Sequence, residues 1–233
     1  MAHRFTRTPL AAMAAAVLAA APLGAQWQGV VTYQNQQNME GENAPSQMQY
    51  MQGAGGMAKM VVQDKESGSM SVIYNKSQNT ATIIMDTQQM YMTMPLDKMQ
   101  AQSQKALSKM KITDTGKTEV IAGHTCTVYH AVDPDDQSES DACIATDMGN
   151  FMLLDAPGRG EHASQGSKMF SIMKNMLGSK AGMFPLKVTT TKNGKTEGVF
   201  VATSIKAQTL PASEFAPPAG YKAMGGPGMG GPN

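Results

Sequence analysis

Short runs in which apolar and polar residues alternate recur along most of this chain. A period of two puts successive side chains on opposite faces of an extended backbone, so these runs read as strands. Trp27, Gly29, Val31 and Tyr33 fall on one face of the first. Met48–Gln52, Met57–Gln63 and Ser69–Asn75 follow, then Thr80–Met85 and Gln89–Met94, each pair parted by Gly, Asp, Asn or Ser. Thr118–Ile121, Thr125–Asp133 and Glu139–Thr146 form a second group, and Phe184–Lys192 with Thr196–Ala207 flank Asn193-Gly194, a strong hairpin dipeptide. Short strands at such spacing predict an antiparallel meander.

Two stretches break the alternation. Leu96, Met99, Ala106, Leu107 and Met110 make one helical stripe over 96–110, ended on its N-terminal side by Pro95. Met169, Phe170, Met173, Met176 and Leu177 recur at spacings of three and four over 166–178. The expected fold is mainly β (α+β): a curved antiparallel sheet, or open half-barrel, with these two helices over its concave face. The Gly, Pro and Met tail over 223–233 buries too little to order itself. No fixed-period repeat is present.

The first 25 residues read as a secretory signal rather than as fold. Arg4 and Arg7 precede an uncharged, Ala-rich run from Leu10 to Leu23, and Ala25 offers a small residue for cleavage before Gln26. The run holds 14 residues and Pro22, short of the roughly 20 a bilayer span needs. No Cys follows it that could carry a bacterial lipid anchor. The expectation is an exported protein, periplasmic or secreted, with a single domain over 26–222 and no stable membrane anchor. Loss of Arg4 and Arg7 leaves 17 basic against 18 acidic residues, a balance that argues against nucleic acid as a partner.

Export puts Cys126 and Cys143, the only cysteines, in an oxidising space where one internal pairing is available. A hairpin centred between Pro134 and Asp135 sets 126 opposite 143, within disulfide range. A structural staple is the main reading. A redox or metal pair is the alternative, although Cys-x-x-Cys spacing would suit it better.

Residues 116–147 carry a recognisable pattern. Gly116-Lys-Thr-Glu-Val-Ile-Ala-Gly-His-Thr-Cys126-Thr-Val-Tyr129 resembles the G-x-x-x-x-I-A-G-x-x-C-x-x-Y signature of the DUF4412 family of exported bacterial proteins. Phe184-Pro185-Leu186-Lys187-Val188 and Phe215-Ala-Pro-Pro-Ala-Gly220-Tyr221 are similar to that family as well. Cys143 stands where many members carry a Trp. The resemblance implies a fold like that of the periplasmic lipoprotein carriers and their outer-membrane receptor, an open half-barrel that holds acyl chains beneath helices. It implies no catalytic residues.

Methionine is the compositional outlier, with 22 residues, 20 of them after the signal. Met90, Met92 and Met94 share one face of a strand, and Met169, Met173 and Met176 share one stripe of the second helix. Flexible, polarizable thioethers suit an adaptable apolar lining, and these six are the candidate ligand-lining residues. Thioethers also select Cu(I), and they scavenge oxidants. The acidic group Asp133, Asp135, Asp136, Glu139 and Asp141 lacks an ordered calcium-loop pattern and reads as a solvated hairpin tip. His124, His130 and His162 lack zinc spacing. Gly53-Ala-Gly55-Gly-Met-Ala58 matches a dinucleotide fingerprint only formally, because a strand follows it. No serine-hydrolase or phosphate-loop motif occurs. The sequence therefore points to a non-enzymatic envelope protein, without cofactor, holding a lipid or lipoprotein acyl chain in a Met-rich concave sheet. A Cu(I)-binding or metal-stress protein is the alternative.

Overall fold

Alternation becomes pleat in a computed structural model, which describes residues 27–36, 47–64, 68–96, 111–133, 137–149, 151 and 184–224. The first meander comprises β1 (Gly29–Asn35), β2 (Gln47–Gln52), β3 (Met57–Asp64), β4 (Gly68–Asn75), β5 (Thr80–Met85) and β6 (Met90–Pro95). The second comprises β7 (Lys111–Ile121), β8 (His124–Asp133), β9 (Ser138–Ala145), β10 (Phe184–Lys192) and β11 (Lys195–Ala207). β1 pairs antiparallel with β11, which fuses the two meanders. A short β12 (Lys222–Ala223) adds to β6 in parallel. The result is one open, curved 12-stranded sheet in the order β12-β6-β5-β4-β3-β2-β1-β11-β10-β9-β8-β7.

The strands fall close to where alternation places them, and local chemistry explains the turns. Asn193 and Gly194 both take left-handed φ, 51° and 72°, as a two-residue hairpin requires. Ala122 and Gly123 do the same between β7 and β8, so the I-A-G segment of the signature is a tight turn. Nothing lies within 4 Å of a Cβ built at Gly123, so that glycine serves its φ of 87° and not a close contact.

Three expectations need correction. β7 starts at Lys111, seven residues before the expected strand. Its first half hides behind Asp114-Thr-Gly116-Lys, which reads as a turn but forms a bulge: the register shifts between Asp114 and Thr118, Gly116 has φ 67°, and Asp114 Oδ1 accepts from the Gly116 N–H at 2.9 Å. The β8–β9 hairpin is centred one residue later than expected, with Asp133 opposite Ser138 and Gln137 left-handed. Ala223, expected to open an unordered tail, instead pairs with Tyr91, and the Met224 N–H donates to the Tyr91 carbonyl at 2.7 Å. Among the described residues the helical elements are three short 3-10 turns and Leu96, which turns α-helical directly after β6. The helices expected at 96–110 and 166–178 fall on residues outside that set, apart from buried Leu96.

Curvature shows in contacts across the sheet. β2 and β10 are separated by β1 and β11, three strand spacings or about 14 Å. Yet the rings of Tyr50 on β2 and Phe184 on β10 lie 5.5 Å apart in an edge contact. Their shared face is the inner, concave one.

The outer face of the first meander is covered by the segment after β11. A 3-10 turn at Ala212–Phe215 sets Phe215 against Ile73 and Ile84 in a separate small core. A Cβ at Gly53 would stand 2.5 Å from the Phe215 ring, so the glycine makes room for it. Tyr221 then donates its hydroxyl to Asp86 Oδ1 at 3.0 Å, and the Lys222 N–H reaches the Gln89 carbonyl at 2.9 Å. The family-like Phe215–Tyr221 stretch is thus a strap, anchored at both ends, that carries the chain to the far edge.

Candidate functional site: the inner face of the sheet

Register aligns the inward residues of β1 to β6 into three rows. The middle row runs Val31, Tyr50, Met60, Val72, Ile83, Met92, each directly opposite the next. One side of it has Tyr33, Met48, Val62, Met70, Met85, Met90. The other has Gly29, Gln52, Ala58, Tyr74, Ala81, Met94. Apart from Gln52, these positions are apolar, aromatic or glycine.

Burial grades along the rows. Val31, Tyr50, Met60, Val72 and Tyr74 are fully buried, whereas Met70, Met85, Met90, Met92 and Met94 are half-buried. The closed end is aromatic. Tyr50 stacks obliquely on Phe151 at 4.2 Å, Phe151 meets Phe184 edge-on at 4.9 Å, and Trp27 meets Phe184 at 5.7 Å. The open end is methionine.

Two polar groups sit within this apolar face. Tyr33 donates its hydroxyl to the Pro185 carbonyl at 2.8 Å, tying β1 to β10. Burial holds its pKa well above the ordinary tyrosine value of 10.0, with the Tyr50 hydroxyl adding to the shift, so the donor stays protonated. Gln52 has no exposed surface. Its Oε1 accepts from the Tyr50 hydroxyl at 3.2 Å, and its Nε2 is buried without a partner. Such an amide costs free energy unless something supplies an acceptor.

Met90, Met92 and Met94 therefore share the inner face as expected, on strand β6. Met169, Met173 and Met176 lie outside the described residues. The register adds two that strand-by-strand reading missed. Met70 stands opposite Met85, and Met85 opposite Met90. The signal for Met85 was in the sequence, since a hairpin about Asp86-Thr87-Gln88 pairs it with Met90.

Cys126 and Cys143 form the expected disulfide, with Cα atoms 5.2 Å apart. They do not face each other. Cys143 stands opposite Val128, so the bond runs diagonally across β8 and β9. Both cysteines are buried, but not on the inner face. Cys143 lies opposite Lys187, Lys187 opposite Val201, and Val201 opposite exposed Gln34, which alternates with inward Tyr33. His130 and Asp141 share that outer face, with Nδ1 2.8 Å from Oδ1. His124 is held likewise by Asp147 at 2.8 Å. Among the described residues no three His, Cys, Asp or Glu side chains converge as a metal site. His162, Asp135 and Asp136 lie outside that set.

Solved structures with a similar course of chain share little sequence with it. An uncharacterized conserved protein from Thermus thermophilus matches at TM-score 0.48 and 8% identity, over 86% of this chain and 91% of that one. MucB in complex with MucA(peri) matches at TM-score 0.42 and 11% identity, over 83% of this chain and 54% of that one. PNGF-II matches at TM-score 0.42 and 14% identity, over 84% of this chain and 30% of that one. No curated protein matches by sequence. The family described as a domain of unknown function, DUF4412, matches residues 27–221, a span that holds the I-A-G turn, the disulfide, the inner rows and the Phe215–Tyr221 strap. The chain belongs to the DUF4412 family.

Proposed function

We propose that this protein is a non-enzymatic envelope protein, exported to the periplasm or beyond, that binds a lipid or an acyl chain of a lipoprotein on the inner face of its sheet. One observation carries the reading: the inner rows grade from a closed aromatic end to a half-buried methionine end. That gradient suits a long apolar chain of variable shape. Buried Gln52 adds a donor for a carbonyl or carboxylate oxygen, which favours an amphiphile over a pure hydrocarbon. Export is supported by the signal-like first 25 residues and by the disulfide.

Native mass spectrometry of protein purified from its own envelope tests this directly. Copurified lipid masses that disappear on delipidation, together with saturable binding of a fluorescent fatty acid, are the expected result. Protein that arrives free of lipid and binds no fatty acid would rule the reading out.

A further inference from the structure

We propose that Met70, Met85 and Met90 form a three-thioether site for a soft monovalent cation, Cu(I) or Ag(I). The three come from adjacent strands and stand directly opposite one another on one face, with Met85 in the middle. Facing residues in an antiparallel sheet hold their Cβ atoms about 4.5–5.5 Å apart. Each sulfur lies two bonds beyond its Cβ on freely rotating torsions, so three thioethers can turn toward one point above Met85. Met48 is in the same row but is cut off by Val62, which limits the contiguous set to three.

The surroundings choose the class of ion. Thioethers are neutral, soft donors, and soft donors select Cu(I) over hard cations. The next row holds Val72, Ile83 and Met92, and on β12 exposed Lys222 stands beside Met90, so these neighbours add apolar surface and one cation but no carboxylate. A strongly hydrated divalent ion would lose its water there without compensation, whereas a weakly hydrated monovalent ion loses less. All three methionines are half-buried, which leaves them reachable from solution. Met48 and Met60, also on the inner face, differ on this point because they are buried.

The site does not depend on lipid binding, and its test is separate. The probe is Ag(I), which binds as Cu(I) does without redox chemistry, titrated into intact protein carrying ¹³C-methyl methionine. The expected result is that a single equivalent shifts three methyl resonances, assigned by replacing each methionine with Leu. Met85→Leu should weaken Ag(I) binding by about tenfold or more, because the central donor of three is lost. Met51→Leu, on the outer face opposite Lys59, should leave binding unchanged. A Cu(I) competition titration against a chromogenic chelator should rank the variants in the same order. Shifts confined to other methionines, or full affinity in Met85→Leu, would overturn the site. Fatty-acid binding measured on the same samples reports on the lipid reading alone.

Discussion

Lys187 and Glu119 meet over the disulfide, with Nζ 2.9 Å from Oε2, although their strands β10 and β7 are three places apart in the sheet. Lys187 stands opposite Cys143 and Glu119 opposite Cys126, so the ion pair joins the two strands that flank the covalent link. The two links differ in strength. The side chains of the pair are 32% and 41% exposed, so Glu119→Gln should cost less than about 1 kcal/mol. The disulfide closes a sequence separation of 17, and Cys126→Ala with Cys143→Ala should cost about 3 kcal/mol in the chain-entropy account. Urea denaturation of wild type, both variants and reduced wild type measures this. Equal midpoints for oxidised and reduced wild type would contradict it, as would free thiols found by alkylation of the oxidised protein.

Phe215 and Gly53 make a second, coupled pair. Phe215 is 9% exposed, and its replacement by Ala should cost about 3 kcal/mol. Gly53→Ala drives a methyl into the ring and should cost about 1–3 kcal/mol. In the double variant the methyl has nothing to strike, so the two costs should not add. Additive losses would mean that the strap is not seated on Gly53.

Tyr33 gives a pH dependence of definite sign. Its pKa in the folded state is raised above the ordinary 10.0, so the folded protein keeps a proton that the unfolded chain releases. Its contribution to stability is full below about pH 10 and is lost as pH rises toward the folded value. Stability measured from about pH 8 to about pH 11 should fall at the alkaline end. Tyr33→Phe should remove part of that fall while losing about 1 kcal/mol at neutral pH with the hydrogen bond to Pro185. An unchanged alkaline slope in Tyr33→Phe would contradict the assignment.

Gln52 separates a structural from a binding role. Gln52→Leu removes the unpartnered Nε2 but also the acceptor of one hydrogen bond from Tyr50, so the two effects offset and stability should stay within about 1 kcal/mol of wild type. If the amide meets the polar end of a bound amphiphile, the same change should weaken fatty-acid binding several-fold. Binding that is unchanged would assign Gln52 to the fold alone.

The strands were legible because burial on one face writes itself into sequence as period two. The Cys126–Cys143 pairing was legible because the chain holds only two cysteines. Less visible were features that depend on which residue faces which. The β7 bulge at Asp114–Gly116 and the late β8–β9 turn each change register, and a small shift in register turns a facing disulfide into a diagonal one. Met70 is far from Met90 in sequence, and only the pairing of β4 with β5 brings it into the row. β12 was hidden because two residues carry no period.

The methionines of β6 discriminate between a lining and a ligand set. Met90, Met92 and Met94 lie on one face but in three different rows, so as a set they spread along the open end of the inner face. Leu keeps most of the volume and apolarity of Met, and swaps of this kind usually cost less than about 1.5 kcal/mol. The triple variant Met90→Leu, Met92→Leu, Met94→Leu should therefore stay folded and keep its fatty-acid binding, because a lining needs apolar surface and not sulfur. Its soft-cation binding should fall, because Met90 is one of the three opposed thioethers. Paired titrations with a fluorescent fatty acid and with a Cu(I) chelator as competitor measure both. Lipid binding that vanishes in a folded triple variant would show that the ligand reads the thioethers themselves. Tight Cu(I) binding by the wild type, with no lipid binding by either protein, would replace the lipid reading with a metal one.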